Sequence, residues 1–525
     1  WFAGDRWSRK VLERIYHPLY IREPKGFGMI PWLARAAPVY NAADLSYTVR
    51  LRPGKWSDGT EFTAADVAFT GKVIREFKIP RSYSNWKFIR TIEVVDKHTL
   101  RFHLERPMAV FSERTLTTPI VQQKQWAGLV RMARKAENPL AALRRQRVSR
   151  PVGMGPFMLK EWKPGAYLFL KSNRHFFARG LRVSGYSVGP YIDGIIFRIF
   201  ETTDAAVAAL KKGTIDYLWW GLQPRHRQDL KRDRNIRIYA SKRSALYFLG
   251  FNLRKIPFND VSFRQAAALL TDKDFIIANV LGGDGQKMDS VVPEGNRQWY
   301  CKGLQAQAEG IASQPQRIRA AYEILKRAGY TWEVPPVSTK GEVGSGRGMR
   351  LPDGSPMQVL TILTPTADYD LQRAMVGLML RQWLVQVGIP VTVQHVAFSN
   401  LIRRVKARRD FDMFVLGYGR LSLDPDYLRS FFHSRNDRPR GWNMSGYNNP
   451  AFDRIADQSA EATDVMKRKT LICRMQEMLA RDIPYLPLYN PQLLEGVRKD
   501  RFSGWIPLLE GIANTWSFST IRPKG

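Results

Sequence analysis

Apolar and polar residues alternate from Tyr47 to Leu51, the period-two pattern of a half-buried strand. Pro53-Gly54 interrupts it, because proline fixes φ and glycine permits φ > 0. Ser57-Asp58-Gly59 makes a second turn, and Thr63, followed by Ala64, Ala65 and Asp66, reads as a helix N-cap with an acid in the first turn. Thr91–Val95 and Thr99–Leu104 read as short strands. Farther on, Leu371–Val387 carries apolar residues at helical spacing and ends at Gly388, with Ile389–Val393 as the next strand. Phe411–Gly417 reads as a short buried strand. From Pro257 to Pro487 helical and strand patterns alternate, as βαβ units do. Val334–Gly348 is rich in Gly, Pro and Ser and is expected to be an exposed, mobile loop.

At 525 residues the chain exceeds what one hydrophobic core supports, so two to three domains are expected. An apolar content of 44% with 15 Trp and 20 Tyr is ample for packed cores. No run approaches the roughly 18 apolar residues of a membrane-spanning helix. Cys301 and Cys473 lie far apart in sequence, in no CxxC or His-spaced pattern; one disulfide and two free thiols both remain open, and a structural zinc is not expected. The histidines form no HExxH set, there is no GxSxG, and Gly282-Gly-Asp-Gly285 lacks the Lys-Ser/Thr of a phosphate-binding loop. Nothing here points to an enzyme, a metal or a cofactor.

The wording of Leu51–Thr70 closely resembles the signature of the family-5 extracellular solute-binding proteins, the oligopeptide-, dipeptide- and nickel-binding components of ABC importers. Further segments match that family in order: Val152–Phe157 with Glu161-Trp162, Ile192–Arg198, Ala208–Asp216, Phe251-Asn252 with Ile256–Asp260 and Arg264–Ala266, Ala320–Tyr330, Leu423–Tyr427 and Gly446–Asp453. The resemblance implies a two-lobed α/β fold of the type II periplasmic-binding-protein kind, with an extra domain inserted in lobe one. The expected organisation is lobe one at 1–39, the inserted domain at 40–152, lobe one again at 153–256, lobe two at 257–487 and a return to lobe one at 488–525. Family members normally carry a signal peptide and an opening strand before the segment resembling Val11–Leu19; the favoured expectation is that both precede the residues given, the alternative that this member has lost them. Localisation is expected to be periplasmic or extracellular and membrane-associated.

The same resemblance nominates a ligand cleft between lobes. In oligopeptide and dipeptide binders a lobe-two strand ends in a loop whose Asp holds the peptide's free amine. The matching run here is Gly417, Tyr418, Gly419, Arg420 and Leu421, so Leu421 falls where the anchoring acid would be. A buried ammonium needs a carboxylate partner, so the functional reading is a ligand without a free α-amine. The alternative is a register difference, with Asp424 or Asp426 supplying the charge. Tyr16 and His17 match a lobe-one turn that faces the cleft in the family, with a surface-turn histidine as the alternative. Trp220, Asn252, Trp442, Asn443 and Tyr489 complete the candidates by position; Trp219 and Trp220 are adjacent on a strand end, so at most one faces ligand.

Lys and Arg total 82 against 47 Asp and Glu, a net charge of +35. Basic clusters at Arg131–Lys135, Arg144–Arg150, Arg225–Arg243, Arg403–Arg409 and Arg435–Arg440 spread a positive potential that salt screens beyond about 8 Å. Arg225–Arg243 reads as a solvated helix face. No aromatic interleaving or recognisable nucleic-acid module accompanies these clusters. The reading is therefore a solute-binding protein that captures a small ligand by hinge closure and delivers it to an ABC permease, with an anionic membrane surface or a larger complex as a further partner. The rivals are a scaffold on the same fold and a polyanion or nucleic-acid binder.

Overall fold

The computed structural model describes residues 5–24, 26, 28–219, 222–304 and 310–524. The chain divides into two compact units. One comprises 1–241, 461–463 and 493–525; the other comprises 242–460 and 464–492.

The first unit opens with helix Arg6–Ile15, whose N-cap Asp5 accepts from the Ser8 amide. Beside it runs the glycine-rich entry to strand Phe157–Lys163. There the Gly155 amide donates to the Ile15 carbonyl at 2.8 Å. A Cβ on Gly153 would sit 1.9 Å from the Ile15 oxygen, and one on Gly155 2.3 Å from that of Arg14. Close backbone approach is why glycine occupies both positions. Strands Val39–Asn41, Ser46–Arg50, Thr99–Leu104 and Ile89–Asp96 pair in that spatial order into an antiparallel sheet, and helix Ala64–Glu76 packs on it. The Asp66 carboxylate reaches back to the Thr63 amide at 3.0 Å, the N-terminal capping arrangement expected from the sequence. A three-stranded sheet joins Tyr217–Leu218, Leu493–Arg498 and Ile236–Ser241, so the C-terminal segment is a central strand of this unit.

The second unit is built on one six-stranded sheet. Its strands in chain order are β1 (Leu246–Phe251), β2 (Gly285–Lys287), β3 (Leu360–Pro365), β4 (Val391–Val396), β5 (Met413–Tyr418) and β6 (Tyr485–Pro491). Their spatial order is β2-β6-β1-β5-β3-β4; β3 is parallel to both β4 and β5, and the other pairings are antiparallel. Helices α1 (Val261–Leu270), α2 (Gln314–Arg327) and α3 (Ala367–Gln386) join one apolar cluster; α4 (Val465–Asp482) joins another. Gly377 of α3 sits where a Cβ would meet the Thr364 methyl at 2.3 Å, which lets this helix lie close on β3. Cys301 and Cys473 form a disulfide within this unit.

Two local expectations change. Val334–Gly348 does not form a structureless loop: Val334 bridges Arg347, Val337 bridges Val343, and the Gly346 amide donates to the Gln386 carbonyl at 3.0 Å. Its backbone polar groups pair with one another and with the end of α3, which composition alone does not reveal. In Arg225–Arg243 the helix spans only Pro224–Lys231; Ile236–Ser241 is a strand whose alternating pattern lies inside the charge run.

Candidate functional site

The C-terminal ends of the parallel strands β3 and β5 lie on one edge of the second unit's sheet. The start of β1 and the end of β6 lie there too, because β1 is antiparallel to β5 and β6 is antiparallel to β1. In open α/β sheets this edge is where ligands bind. Leu246 pairs with Tyr418 at this edge, and Tyr247 pairs with both Gly417 and Tyr489. The Tyr247 and Tyr489 rings stack at 4.8 Å, and Tyr247 lies so close over Gly417 that a Cβ there would meet its ring at 2.4 Å. Glycine at 417 is thus a packing requirement of the tyrosine beside it.

On the other face of the same edge the loop after β5 is pinned to the loop before β1. The Leu421 amide donates to the Ser244 carbonyl, the Arg243 guanidinium donates to the Gly419 carbonyl, and the Asn490 side-chain amide donates to the Arg243 carbonyl at 2.7 Å. Leu421 is 6% exposed and belongs to the apolar cluster on that face, while Arg420 beside it is exposed. The two acids that follow are engaged elsewhere. Asp424 forms a buried bidentate pair with Arg468, at 2.6 and 3.0 Å. Asp426 forms another with Arg429, at 2.8 and 3.0 Å. Tyr418 stacks on Phe248 and on Phe431, and half-exposed Trp442 lies 5.9 Å from Phe431 with the Lys406 ammonium 3.4 Å over its ring. The structure therefore gathers Gly417, Tyr418, Gly419, Arg420, Leu421 and Tyr489 at one edge, with Trp442 reached through the Tyr418–Phe431 stack.

Asn252 is not brought there. It follows Phe251, which pairs with Met413 at the opposite end of β1 and β5. Six residue steps separate it from Leu246, roughly 20 Å at about 3.4 Å each. Its amide donates to the Phe411 carbonyl at 2.8 Å and its oxygen accepts from Arg254. Asn443 is likewise consumed by structure: Nδ2 donates to the Tyr447 carbonyl and Oδ1 accepts from the amides of Gly446 and Tyr447. A side-chain amide so tied holds a turn and has little left for a solute.

In the first unit Tyr16 and His17 are both buried. The indole N–H of Trp32 donates to His17 Nδ1 at 2.7 Å, and the ring packs against Trp32 and Phe176. Burial, reinforced by Arg14, pushes the imidazole pKa down to about 3. His17 is thus neutral with its proton on Nε2, and it is not a surface-turn residue. Burial also raises the Tyr16 hydroxyl, which bonds Trp126. Trp219 packs edge-on against Trp7 at 6.0 Å, and Trp220 lies outside the described residues.

Sequence reasoning passed over Arg243, Ser244, Tyr247 and Asn490. Arg243 stood at the end of a run read as surface charge; the others carry no motif, and only sheet pairing brings them to the edge. Among the described residues no group of three or more His, Cys, Asp or Glu could hold a metal ion, and no helix is long and apolar enough to cross a membrane.

Residues 28–439 match the family model "Bacterial extracellular solute-binding proteins, family 5 Middle". The oligopeptide-binding protein AppA of Bacillus subtilis is 26% identical over 85% of this chain and 76% of its own length. Di/tripeptide-binding protein 1 of Pseudomonas aeruginosa is 25% identical over 93% of this chain and 85% of its own length. The crystal structure of the ABC transporter substrate-binding protein CtaP from Listeria monocytogenes superposes with a TM-score of 0.77 at 22% identity, covering 100% of this chain and 96% of that one. That likeness shows the fold expected from the sequence, the two-lobed type II architecture of periplasmic binding proteins. The chain belongs to the bacterial extracellular solute-binding proteins of family 5.

Proposed function

We propose that this protein is the solute-binding component of an ABC importer, and that it takes up a small peptide-like or other solute lacking a free amine and passes it to a membrane permease. Relatives named for oligopeptides and for di- and tripeptides support the solute class in outline. One observation carries the finer reading: the position matching the family's acidic anchor is a buried leucine, and the acids nearest in sequence are committed to Arg468 and Arg429. An ammonium placed beside Leu421 would lose its hydration and gain no carboxylate in return, which costs several kcal/mol. Arg420 and Arg243 add positive charge nearby and oppose it further. The net charge of +35 favours delivery at an anionic surface, the membrane face around the permease.

The test is calorimetric titration of trialanine and N-acetyl-trialanine into the wild type and Leu421→Asp. The wild type is expected to prefer the blocked peptide. The variant is expected to gain at least about tenfold in affinity for the free amine, from a charge-assisted hydrogen bond of about 1.5–3 kcal/mol. Unchanged titrations with the variant folded would refute the placement of Leu421.

A further inference from the structure

The fold merges two basic runs that the sequence keeps apart. The short helix Arg403–Arg408 and the Arg409 that ends it carry five cations in seven residues. Arg435–Arg440 carries three more against the single acid Asp437. The Arg440 amide donates to the Lys406 carbonyl at 2.7 Å, and Arg409 Nη1 donates to Asp437 Oδ1 at 3.0 Å. These two contacts lay the runs side by side, in opposite directions, on the second unit.

The acids within reach are already engaged. Asp437 also takes Arg254, Asp410 takes Arg404 at 3.5 Å, and Asp457 takes Arg435 at 2.7 Å. Among the described residues Arg408, Arg438 and Arg440 form no ion pair and no side-chain hydrogen bond, and all three are exposed. One unpaired surface arginine says little. Three together, beside cations whose carboxylates are spent, make a surface of one sign. At its margin Trp442 is 49% exposed, with the Lys406 ammonium 3.4 Å over its ring. An indole set among cations suits the headgroup region of a bilayer, where an apolar ring and a polar edge both find partners.

Of the anionic partners, a lipid surface fits these features best. Lipids diffuse sideways and gather beneath whatever spacing of cations a protein presents, whereas an acidic protein has to match that spacing residue by residue. Nucleic-acid duplexes are read by a helix or ribbon that enters a groove, and the helix here is six residues long.

We infer that this merged surface docks the second unit on an anionic phospholipid bilayer, with Arg408, Arg438 and Arg440 taking lipid phosphates and Trp442 settling among the headgroups. The inference rests on the reading above for where the protein meets a membrane, and it names the part of the chain that makes the contact. Guanidinium groups meet phosphate through paired N–H donors, which suits arginine to this role better than lysine.

The experiment uses the full chain, floated with vesicles of phosphatidylcholine carrying about 30% phosphatidylglycerol in about 0.15 M salt. A net charge of +35 attracts such vesicles by itself. Arg408→Gln/Arg438→Gln/Arg440→Gln is therefore compared with Arg35→Gln/Arg90→Gln/Arg182→Gln, which removes the same charge from exposed positions of the first unit. Each basic group at an anionic surface contributes about fivefold, so the first variant should lose about 100-fold and the second less than about fivefold. Arg408→Gln alone, expected to lose about fivefold, serves if the triple variant does not fold by circular dichroism. Titration of N-acetyl-trialanine should be the same in all of them. Equal losses in the two triple variants, no vesicle binding by the wild type, or equal binding to pure phosphatidylcholine overturns the inference and leaves solute binding untouched. A first variant that loses more affinity for polyglutamate or for duplex DNA than for the vesicles also overturns it, and assigns the surface to an acidic protein or to a nucleic acid. Vesicle binding through these arginines without binding of any probe peptide supports the docking surface and counts against the solute-binding reading instead.

Discussion

Replacing Asp424 by Asn separates a structural acid from a ligand-binding one. Asp424 lies three residues past the position where the family's anchoring acid is expected, so it is the natural substitute if the register is shifted. In the structure its side chain is 1% exposed and that of Arg468 4%, and the two meet in a bidentate pair at 2.6 and 3.0 Å. Arg468 also donates Nε to the Ser459 carbonyl at 3.1 Å and lies over the Trp299 ring at 4.9 Å. Asp424 in turn accepts from the Asp426 amide at 3.0 Å, which shapes the turn into helix Tyr427–Phe432. Asparagine keeps the size and one acceptor but leaves a guanidinium buried without its counter-charge. Breaking one side of such a pair costs about 3–5 kcal/mol, and the retained acceptor places Asp424→Asn near about 3. Against a whole stability of about 5–15 kcal/mol, that is readily measured. The assay is equilibrium unfolding in urea followed by circular dichroism, alongside titration of the probe peptides. The double variant Asp424→Leu/Arg468→Met should recover much of the loss, since an apolar pair of similar volume carries no desolvated charge. The reasoning is refuted if Asp424→Asn unfolds within about 1 kcal/mol of the wild type yet loses solute affinity, because Asp424 would then serve the ligand and not the fold.

Two buried groups in the first unit give opposite pH dependences. His17, with its pKa lowered from 6.5 to about 3, resists protonation when folded, so stability falls below pH 6.5 by about 1.4 kcal/mol per unit down to about 3. Glu495 accepts from Tyr217 and from the Ile512 amide, yet burial raises its pKa from 4.5 to about 7, so its contribution is complete below 4.5 and is lost as pH rises to about 7. Between pH 4.5 and 6.5 the slopes offset; Glu495→Gln should therefore steepen the acid loss in thermal melts across that window, and an unchanged slope would contradict the assignment. Gly155→Ala should cost about 3 kcal/mol in urea unfolding, because its Cβ would lie 2.3 Å from the Arg14 carbonyl oxygen and backbone cannot swing aside as a flexible side chain does. Replacing Cys301 and Cys473 together by serine frees a loop of 172 residues in the unfolded chain and should lower stability by about 2–5 kcal/mol, read from urea midpoints against the wild type under non-reducing conditions.

Short-range features were legible before any fold was known. The Thr63–Asp66 cap, the strands around 91–95 and 99–104, and the helix from Leu371 depend on residues within a few positions of one another, so their periodicity and capping chemistry stand in the linear chain. So did the leucine at 421, once the ordered motifs set the register, and the glycines at 153 and 155, although the backbone approach that demands them became visible only in space. What neighbours Leu421 was not legible. Arg243 and Asn490 lie 247 residues apart, and it is the pairing of β6, β1 and β5 that carries them to one edge. Whether Asp424 was free depended on a partner 44 residues later, and whether His17 was exposed depended on Trp32 and Phe176. Local pattern thus determined the elements, whereas the lining of the edge was decided by nonlocal strand order and burial, because solvent exclusion and hydrogen-bond partnership belong to the assembled sheet and leave no periodic trace along the chain.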